Sequence, residues 1–326
     1  MFSTTSESSI SVLLRWLDAA GAIGLEQLCL KMSSGAVGLG CFALRDIVCG
    51  ETLFVIPQEC ILGFQQVFRS NISTFIRSSV AAMKLSSYDG ELVSEELLYW
   101  LYMIQQRHVH SSSSSSKFNT YLRSLGSKQI LFHQWVLTYL CIYFLVDSLS
   151  PSLLGWTDTV EETILETLGG TNLAFSLQQS LDKLRRQANL LDAIRAAHPD
   201  EGAAVIPQQH FNLESLLWAR GHYLARRYPA KFSLPVGDEE DGHVIEGSAV
   251  EAPCGLCREA GLESRGCLVP LLDILNHNHD REWLTFKVEG GCLHVICNYP
   301  LTKVGNTNTI YWSLCPVCTR FDYVCM

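Results

Sequence analysis

The stretch that most constrains this chain is 268–280, LVPLLDILNHNHD, where an apolar run ends in a dense group of polar residues. Pro270 opens it, and the leucines and isoleucine that follow supply core-facing side chains. In a helical turn, Asp273, Asn276 and His277 stand at i, i+3 and i+4 and project from one face. The pattern therefore predicts a polar site carried by a buried segment. By itself it leaves open a short buried helix that ends in a solvated Asn-His-Asn-His loop.

A second motif lies far upstream, where Gly38-Leu39-Gly40 is followed by Asp46-Ile47 and then by Gly50-Glu51-Thr52-Leu53. Glycines two apart let a backbone approach a ligand closely. The motif is not a dinucleotide fingerprint, because no strand–loop–helix unit with a third glycine follows. It is also not a P-loop, because no Gly-Lys-Ser/Thr occurs.

The order of these motifs is more informative than either one alone. GLGCFALRDI, GETLFVIP, a long helical stretch and LLDILNH follow one another as in the SET-domain methyltransferases. The chain resembles the branch with a large helical insertion, which includes the Rubisco large-subunit lysine methyltransferase and the actin-histidine methyltransferase. This resemblance implies an α+β fold, a SET-domain β-fold interrupted by a large α-helical insertion, and it covers roughly residues 13–303.

The resemblance divides the chain into five parts. They are an N-terminal helix with the first part of the SET domain (1–92), the helical insertion (93–230, with a possible extra insert at 130–146), a surface loop (231–264), the second part of the SET domain (265–303) and a divergent tail (304–326).

S-adenosylmethionine is the cofactor that the resemblance implies. Eight positions are then expected to bind it: Gly38, Gly40, Glu51, Leu53, Arg226, Asp273, Asn276 and His277. Arg226, eight residues after Trp218, matches an arginine of the family that approaches the cofactor carboxylate, and the resemblance implies that its guanidinium binds there through two parallel hydrogen bonds. An ordinary C-terminal helix charge is the alternative for Arg226.

The chain departs from the family after Lys303. The family continues with Gly-Glu-Glu, Ser-Tyr-Gly and Tyr-Gly-Phe segments, the source of its catalytic tyrosine, whereas this chain has GNTNTIYWSLCPVCTRFDYVCM. Tyr311 lacks the following glycine, so the catalytic residue stays unassigned. We expect 304–326, and with it 130–146, to be read-through or alternative-transcript sequence, and the chain as written to transfer no methyl group at an appreciable rate.

The family function is S-adenosylmethionine-dependent protein-lysine N-methylation. Two alternatives stay open, a catalytically inactive binding or regulatory form and a protein-histidine methyltransferase. The net charge of −9 disfavours nucleic-acid binding and favours a basic protein substrate that presents a lysine. We expect a monomer.

Thirteen cysteines, an odd number scattered through apolar runs, predict reduced thiols in the cytoplasm or nucleus. Cys254 and Cys257, with Cys315 and Cys318, have the spacing of a four-thiolate zinc site, but we expect free thiols and no metal. Residues 130–146 form a seventeen-residue, mostly apolar stretch that polar side chains interrupt, so we expect an insert and no membrane span. The chain opens without the basic residues of a secretory signal.

Periodicity and capping residues predict the local elements. The predicted helices are one that Gly21 ends, one that Ser94 caps and that runs to 107, one from Thr171 to Pro199, and one that Asn212 caps and that stops before Pro229. The predicted strands are a pair at 40–43 and 52–56 and a hairpin at 283–297 with its turn at Gly290-Gly291. A serine linker is predicted at 111–116 and a surface loop at 237–261.

Overall fold

The computed structural model describes residues 5–32, 39–83, 92–108, 118–125, 169–233, 266–277, 283–301 and 311–312. Two compact units divide the chain. One is formed by residues 1–63 together with 227–326, and the other by residues 64–226. The first unit is therefore assembled from both ends of the sequence.

Strands dominate the first unit. Its elements are helix α1 (Thr5–Ala19), strands β1 (Leu28–Met32), β2 (Leu39–Ala43), β3 (Thr52–Pro57), β4 (Arg227–Tyr228), β5 (Cys267–Leu268), β6 (Asn276–His277), β7 (Leu284–Glu289), β8 (Cys292–Cys297) and β9 (Tyr311–Trp312), and 3-10 turns at Leu25–Gln27, Gln58–Cys60, Ala230–Ser233 and Leu272–Ile274.

The largest sheet of the described residues has the order β3-β8-β7, with all pairs antiparallel. β7 and β8 form the predicted hairpin, since Glu289 pairs with Cys292 across Gly290 and Gly291. Both glycines have positive φ, of 56° and 71°, as a two-residue turn that matches the strand twist requires. Buried and half-buried residues alternate along β8, so one face of this strand is turned to the core.

The pairing expected between the first two predicted strands is wrong. β2 pairs with β1, in the register Leu28↔Ala43 to Met32↔Leu39, whereas β3 pairs with β8. Strand β1, with the sequence LCLKM, was not predicted from the sequence. β4 pairs antiparallel with β5, and β6 pairs parallel with β9.

Helix α1 ends as predicted at Gly21. Gly21 has φ 90°, its N–H donates to the Asp18 carbonyl at 2.9 Å, and the Ala22 N–H donates to the Leu17 carbonyl at 3.0 Å. These two bonds form a Schellman motif, in which a glycine takes the left-handed position without a Cβ penalty. Leu13 and Leu17 on this helix are fully buried.

The second unit is helical in its described residues. Its helices are α2 (Phe64–Phe68), α3 (Asn71–Ala82), α4 (Glu95–His108), α5 (Asn119–Ser124), α6 (Asn172–Ala197), α7 (Pro199–Val205) and α8 (Leu213–Arg226). α4 is buried on every side from Leu97 to Ile104, because α2, α3, α5 and α8 all pack on it. The unit begins well before residue 93 because α2 and α3 belong to this packing.

The predicted caps of these helices are confirmed. The Ser94 hydroxyl accepts from the Leu97 N–H at 3.2 Å, and the Asn212 side-chain oxygen accepts from the Ser215 N–H at 3.0 Å. Each bond satisfies one of the N–H groups that a helix start leaves without an intrahelical partner. Pro199, expected to end α6, also begins α7, where the first position has no need of an N–H.

Several predicted features lie outside the described residues: the serine linker at 111–116, the apolar segment 130–146 and the loop at 237–261. None of the helices in the described part of the chain is long and apolar enough to cross a bilayer.

Two glycines with similar backbone angles provide a test of this packing. Gly24 and Gly50 have φ of 84° and 82°, but a Cβ at Gly24 meets the Leu53 carbonyl oxygen at 2.7 Å, whereas a Cβ at Gly50 meets nothing within 4 Å. We expect Gly50→Ala to lower the free energy of unfolding by about 1 kcal/mol through backbone strain alone. Gly24→Ala adds overpacking and should cost about 3 kcal/mol.

Urea unfolding of both variants beside the parent measures the difference. Equal losses at the two glycines would show that the close approach of residue 24 to β3 does not exist in solution.

Candidate functional site

The segment that carries Asp273 is a tight turn set in the core of the first unit. Val269, Leu271, Leu272 and Leu275 are all buried. The Asp273 N–H donates to the Val269 carbonyl at 3.3 Å, and the Leu275 N–H donates to the Leu272 carbonyl at 3.2 Å. The 3-10 turn Leu272–Ile274 results, with Asp273 half-buried at its centre.

The prediction that Asp273, Asn276 and His277 share one helical face is wrong. The 3-10 turn ends at Leu275, whose φ of −67° and ψ of 133° are extended. Asn276 and His277 then form strand β6, which pairs in parallel with Tyr311 and Trp312. Pairing with a strand far along the chain outweighs the local helical pattern, because extended backbone must find its hydrogen bonds on another strand.

Strand β2 lies close to the turn that precedes Asn276. Cα atoms of β2, which contains Gly40, come within 8 Å of Cα atoms of the turn Leu272–Ile274. Gly40 lies opposite Lys31 in the β1–β2 pair, and Gly38 lies outside the described residues. The structure thus brings the strand of Gly40 beside the turn of Asp273, which ends two residues before Asn276.

Glu51 and Leu53 hold the chain around β3. The Glu51 carboxylate accepts from the Arg45 guanidinium and, at 3.0 Å, from the Val48 N–H. The hydrogen bond from Arg45 lowers the pKa of this carboxyl, and the bond from Val48 adds to the effect. Leu53 is fully buried, and its carbonyl accepts from the Gln27 amide. These contacts account for both residues by the fold alone, and their place in a cofactor site stays a prediction.

Gln27 is a residue that the sequence analysis missed. Its buried amide donates to Leu53 and accepts from Arg45, so it connects the end of the first 3-10 turn to β3 and to the turn that Glu51 closes. Gln27 stands directly before the apolar run 28–30, and this is the one trace of its role in the sequence.

Arg226 lies in the other unit, as the last residue of α8. Within that unit it acts on His222, one helical turn earlier. His222 is fully buried, and its ring packs on Trp218 with centroids 4.8 Å apart, while the Arg107 guanidinium lies 4.1 Å from the Trp218 ring centroid. Burial lowers the pKa of His222 well below 6.5, and the charges of Arg226 and Arg107 lower it further.

The sequence predicts free thiols and no metal centre. The two cysteine pairs with zinc-site spacing lie outside the described residues, and no group of three or more potential ligands occurs within them. The described cysteines are free thiols, and burial raises the pKa of Cys41 and of Cys267.

No protein-family profile matches the sequence, and no curated protein matches it significantly. Solved structures do share the fold. The SET domain of LSMT bound to lysine and AdoHcy aligns with 95% of this chain at a TM-score of 0.58 and 15% identity. Rubisco LSMT bound to AdoMet aligns with 94% of this chain at a TM-score of 0.57 and 14% identity. Rubisco LSMT bound to sinefungin and monomethyllysine aligns with 94% of this chain at a TM-score of 0.55 and 15% identity.

The chain has the fold of a SET domain. It spans about half the length of those LSMT chains, 54% for the first and 53% for the other two. The predicted fold class, a SET β-fold combined with a large helical part, is confirmed.

The buried imidazole of this SET fold predicts a pH dependence of stability. The folded-state pKa of His222 is depressed, so as the pH falls below about 6.5 the unfolded chain takes up the proton first. The free energy of unfolding is therefore unaffected by this histidine above that pH. Below it, the free energy of unfolding falls by about 1.4 kcal/mol per pH unit because of this one group.

His222→Leu should therefore flatten the dependence of the free energy of unfolding on pH between about 6.5 and 5. The control His294→Gln changes a histidine of β8 in the other unit. Urea titrations at several pH values measure the slopes, and an unchanged slope in His222→Leu would contradict the assignment.

Proposed function

We propose that this chain binds S-adenosylmethionine through the segment around Gly38 and Gly40 together with Asn276 and His277, and that this site serves the methylation of a lysine side chain in a protein, a step that the chain as written carries out only slowly. The approach of β2 to the turn Leu272–Ile274 carries the proposal, because it brings the glycine strand beside the residues that lead into Asn276. LSMT structures with this fold hold AdoMet, AdoHcy, lysine or monomethyllysine.

The residues present fit such a cofactor. A glycine-containing strand lets backbone amides and carbonyls approach an adenosine closely, since no side chain intervenes. An asparagine amide and an imidazole offer both donors and acceptors for the amino-acid and adenine parts. Asp273, half-buried in the turn, is proposed to support the same segment.

The cofactor supplies a methyl group on a positively charged sulfur, which leaves as a neutral thioether when the lone pair of an uncharged lysine amine forms the new N–C bond. The amine proton then passes to solvent. The protein has to hold both reactants in line and exclude water, and no nucleophilic side chain or metal is required for this reaction. Its acidic balance, with a net charge of −9, suits a basic segment of a substrate protein.

Asn276 gives the first test of the proposal. Asn276→Ala removes the amide that is proposed to contact the cofactor, and it should weaken S-adenosylmethionine binding by about 1 to 3 kcal/mol. Isothermal titration calorimetry measures the change. Asn189→Ala, at an exposed position of α6, is the matched control and should bind as the parent does. Equal affinity in the Asn276 variant and the parent would remove Asn276 from the site.

A second candidate function is binding without turnover. It is favoured by the sequence from Val304 onward, which lacks the Gly-Glu-Glu, Ser-Tyr-Gly and Tyr-Gly-Phe segments. Two residues of this tail nevertheless form β9 and pair with Asn276 and His277. The tail therefore supplies backbone to β6, and Tyr311 is the residue that pairs with Asn276 in this register.

We expect this chain to transfer methyl groups at least a hundredfold more slowly than a form continued after Lys303 with those three segments, because lost alignment of the reactants costs orders of magnitude in rate. Labelled cofactor and a shared set of protein substrates measure both forms. If the turnover of the two is comparable, the chain is an active enzyme, and Tyr311→Phe then shows whether Tyr311 contributes.

A further inference from the structure

The turn before Asn276 contains an unusual backbone conformation. Leu271 has φ 72° and ψ −45°, and it is the one non-glycine residue with positive φ among the residues that the structure describes. A Cβ makes this region unfavourable, and such conformations persist only where the surroundings impose them. The side chain of Leu271 is fully buried, and this burial is one interaction that maintains the unfavourable backbone conformation.

A second force comes from outside the turn. The hydroxyl of Tyr228 donates to the Leu272 carbonyl at 3.0 Å in a buried environment. The same carbonyl accepts from the Leu275 N–H at 3.2 Å, which is the bond that closes the 3-10 turn. One oxygen thus receives a local donor and a donor that is distant in sequence, so the phenol fixes the turn to β4.

The phenol itself is held firmly. The backbone of Tyr228 pairs with Cys267, and its ring stacks on Phe232 with centroids 6.1 Å apart. Phe232 in turn packs on Phe286 of β7, with centroids 5.2 Å apart. A donor placed by a strand pair and by an aromatic cluster keeps its direction, as a positioning group must.

The geometry assigns to Tyr228 the role of a positioning residue, whose hydroxyl holds the strained turn Leu271–Leu275 in the form that delivers Asn276 and His277 into β6. Leu275 is the last residue before β6, so any change in the turn displaces both residues. This role rests on the proposed function as far as the bound ligand is concerned. Tyr228 itself is not proposed to touch the cofactor.

Tyr228→Phe tests the role because it removes one oxygen and keeps the ring in its cluster. Tyr102→Phe is the matched control, since it removes a hydroxyl from a tyrosine of α4 in the other unit. Two measurements are made on the full chain: native-state hydrogen exchange of the amides of residues 273–275, and the affinity for S-adenosylhomocysteine by calorimetry. The amides of β7 and β8 serve as the internal reference.

In Tyr228→Phe we expect the exchange rate of the amides of residues 273–275 to rise about fivefold to tenfold above that in the parent, while the rates of the reference amides stay unchanged. A rise of this size corresponds to the loss of about one hydrogen bond. Affinity for S-adenosylhomocysteine should fall by a similar factor. Tyr102→Phe should change neither. Replacing Tyr228 by 4-aminophenylalanine, which keeps an N–H donor at the same place, should restore slow exchange, and it also provides a reading if the phenylalanine variant folds poorly.

Unchanged exchange at residues 273–275, or an increase no larger than that of β7 and β8, would overturn the role of Tyr228. If the parent chain does not bind S-adenosylhomocysteine at all, the proposed function fails, while the exchange data still decide whether the hydroxyl holds the turn. Faster local exchange with undiminished affinity would show that the turn does not position the ligand site, and would also overturn the inference.

Discussion

The pairing of β3 with β8 is the constraint on which the first unit depends. β3 ends at Pro57 and β8 begins at Cys292, and the whole helical unit lies between them in sequence. Because β8 also pairs with β7, it is the central strand of the largest described sheet. Closing so long a loop has an entropic cost, but that cost grows only with the logarithm of loop length. A SET fold can therefore carry a large helical insertion and still form its sheet.

The same constraint explains how the candidate site is held. β4 and β5 are two residues long, and an isolated bridge joins Leu62 to Leu268. Such short pairs contribute little each, so the turn at Leu271 needs buried side chains and the phenol of Tyr228 to keep its conformation. The site is thus placed by strands from both ends of the chain and by one tertiary hydrogen bond.

Local chemistry made part of this structure predictable. Ser94, Asn212, Gly21 and the Gly290-Gly291 pair each decide the backbone within a few residues, and each was assigned correctly from the sequence. The failures occur where a distant partner decides. A helical face was predicted at 273–277, but residues 276–277 pair with residues 311–312 in the structure. Likewise β2 was predicted to pair with β3, but it pairs with β1. The proximity of β2 to the turn was expected from the order of the motifs, and no local rule predicts it. No sequence pattern predicts the hydrogen bond from the hydroxyl of Tyr228.

The tail shows why fold and activity can separate in this chain. Parallel pairing of β9 with β6 uses backbone N–H and C=O groups, which nearly every residue supplies, so a sequence unlike that of the family can still complete the ladder. Methyl transfer depends instead on where particular side chains lie around the amine, and a tolerance of an ångström decides the rate. A divergent tail can therefore preserve the architecture around Asn276 while removing the chemistry. The proposed cofactor binding and the proposed turnover have to be measured separately for that reason, since the strand arrangement by itself decides neither of them.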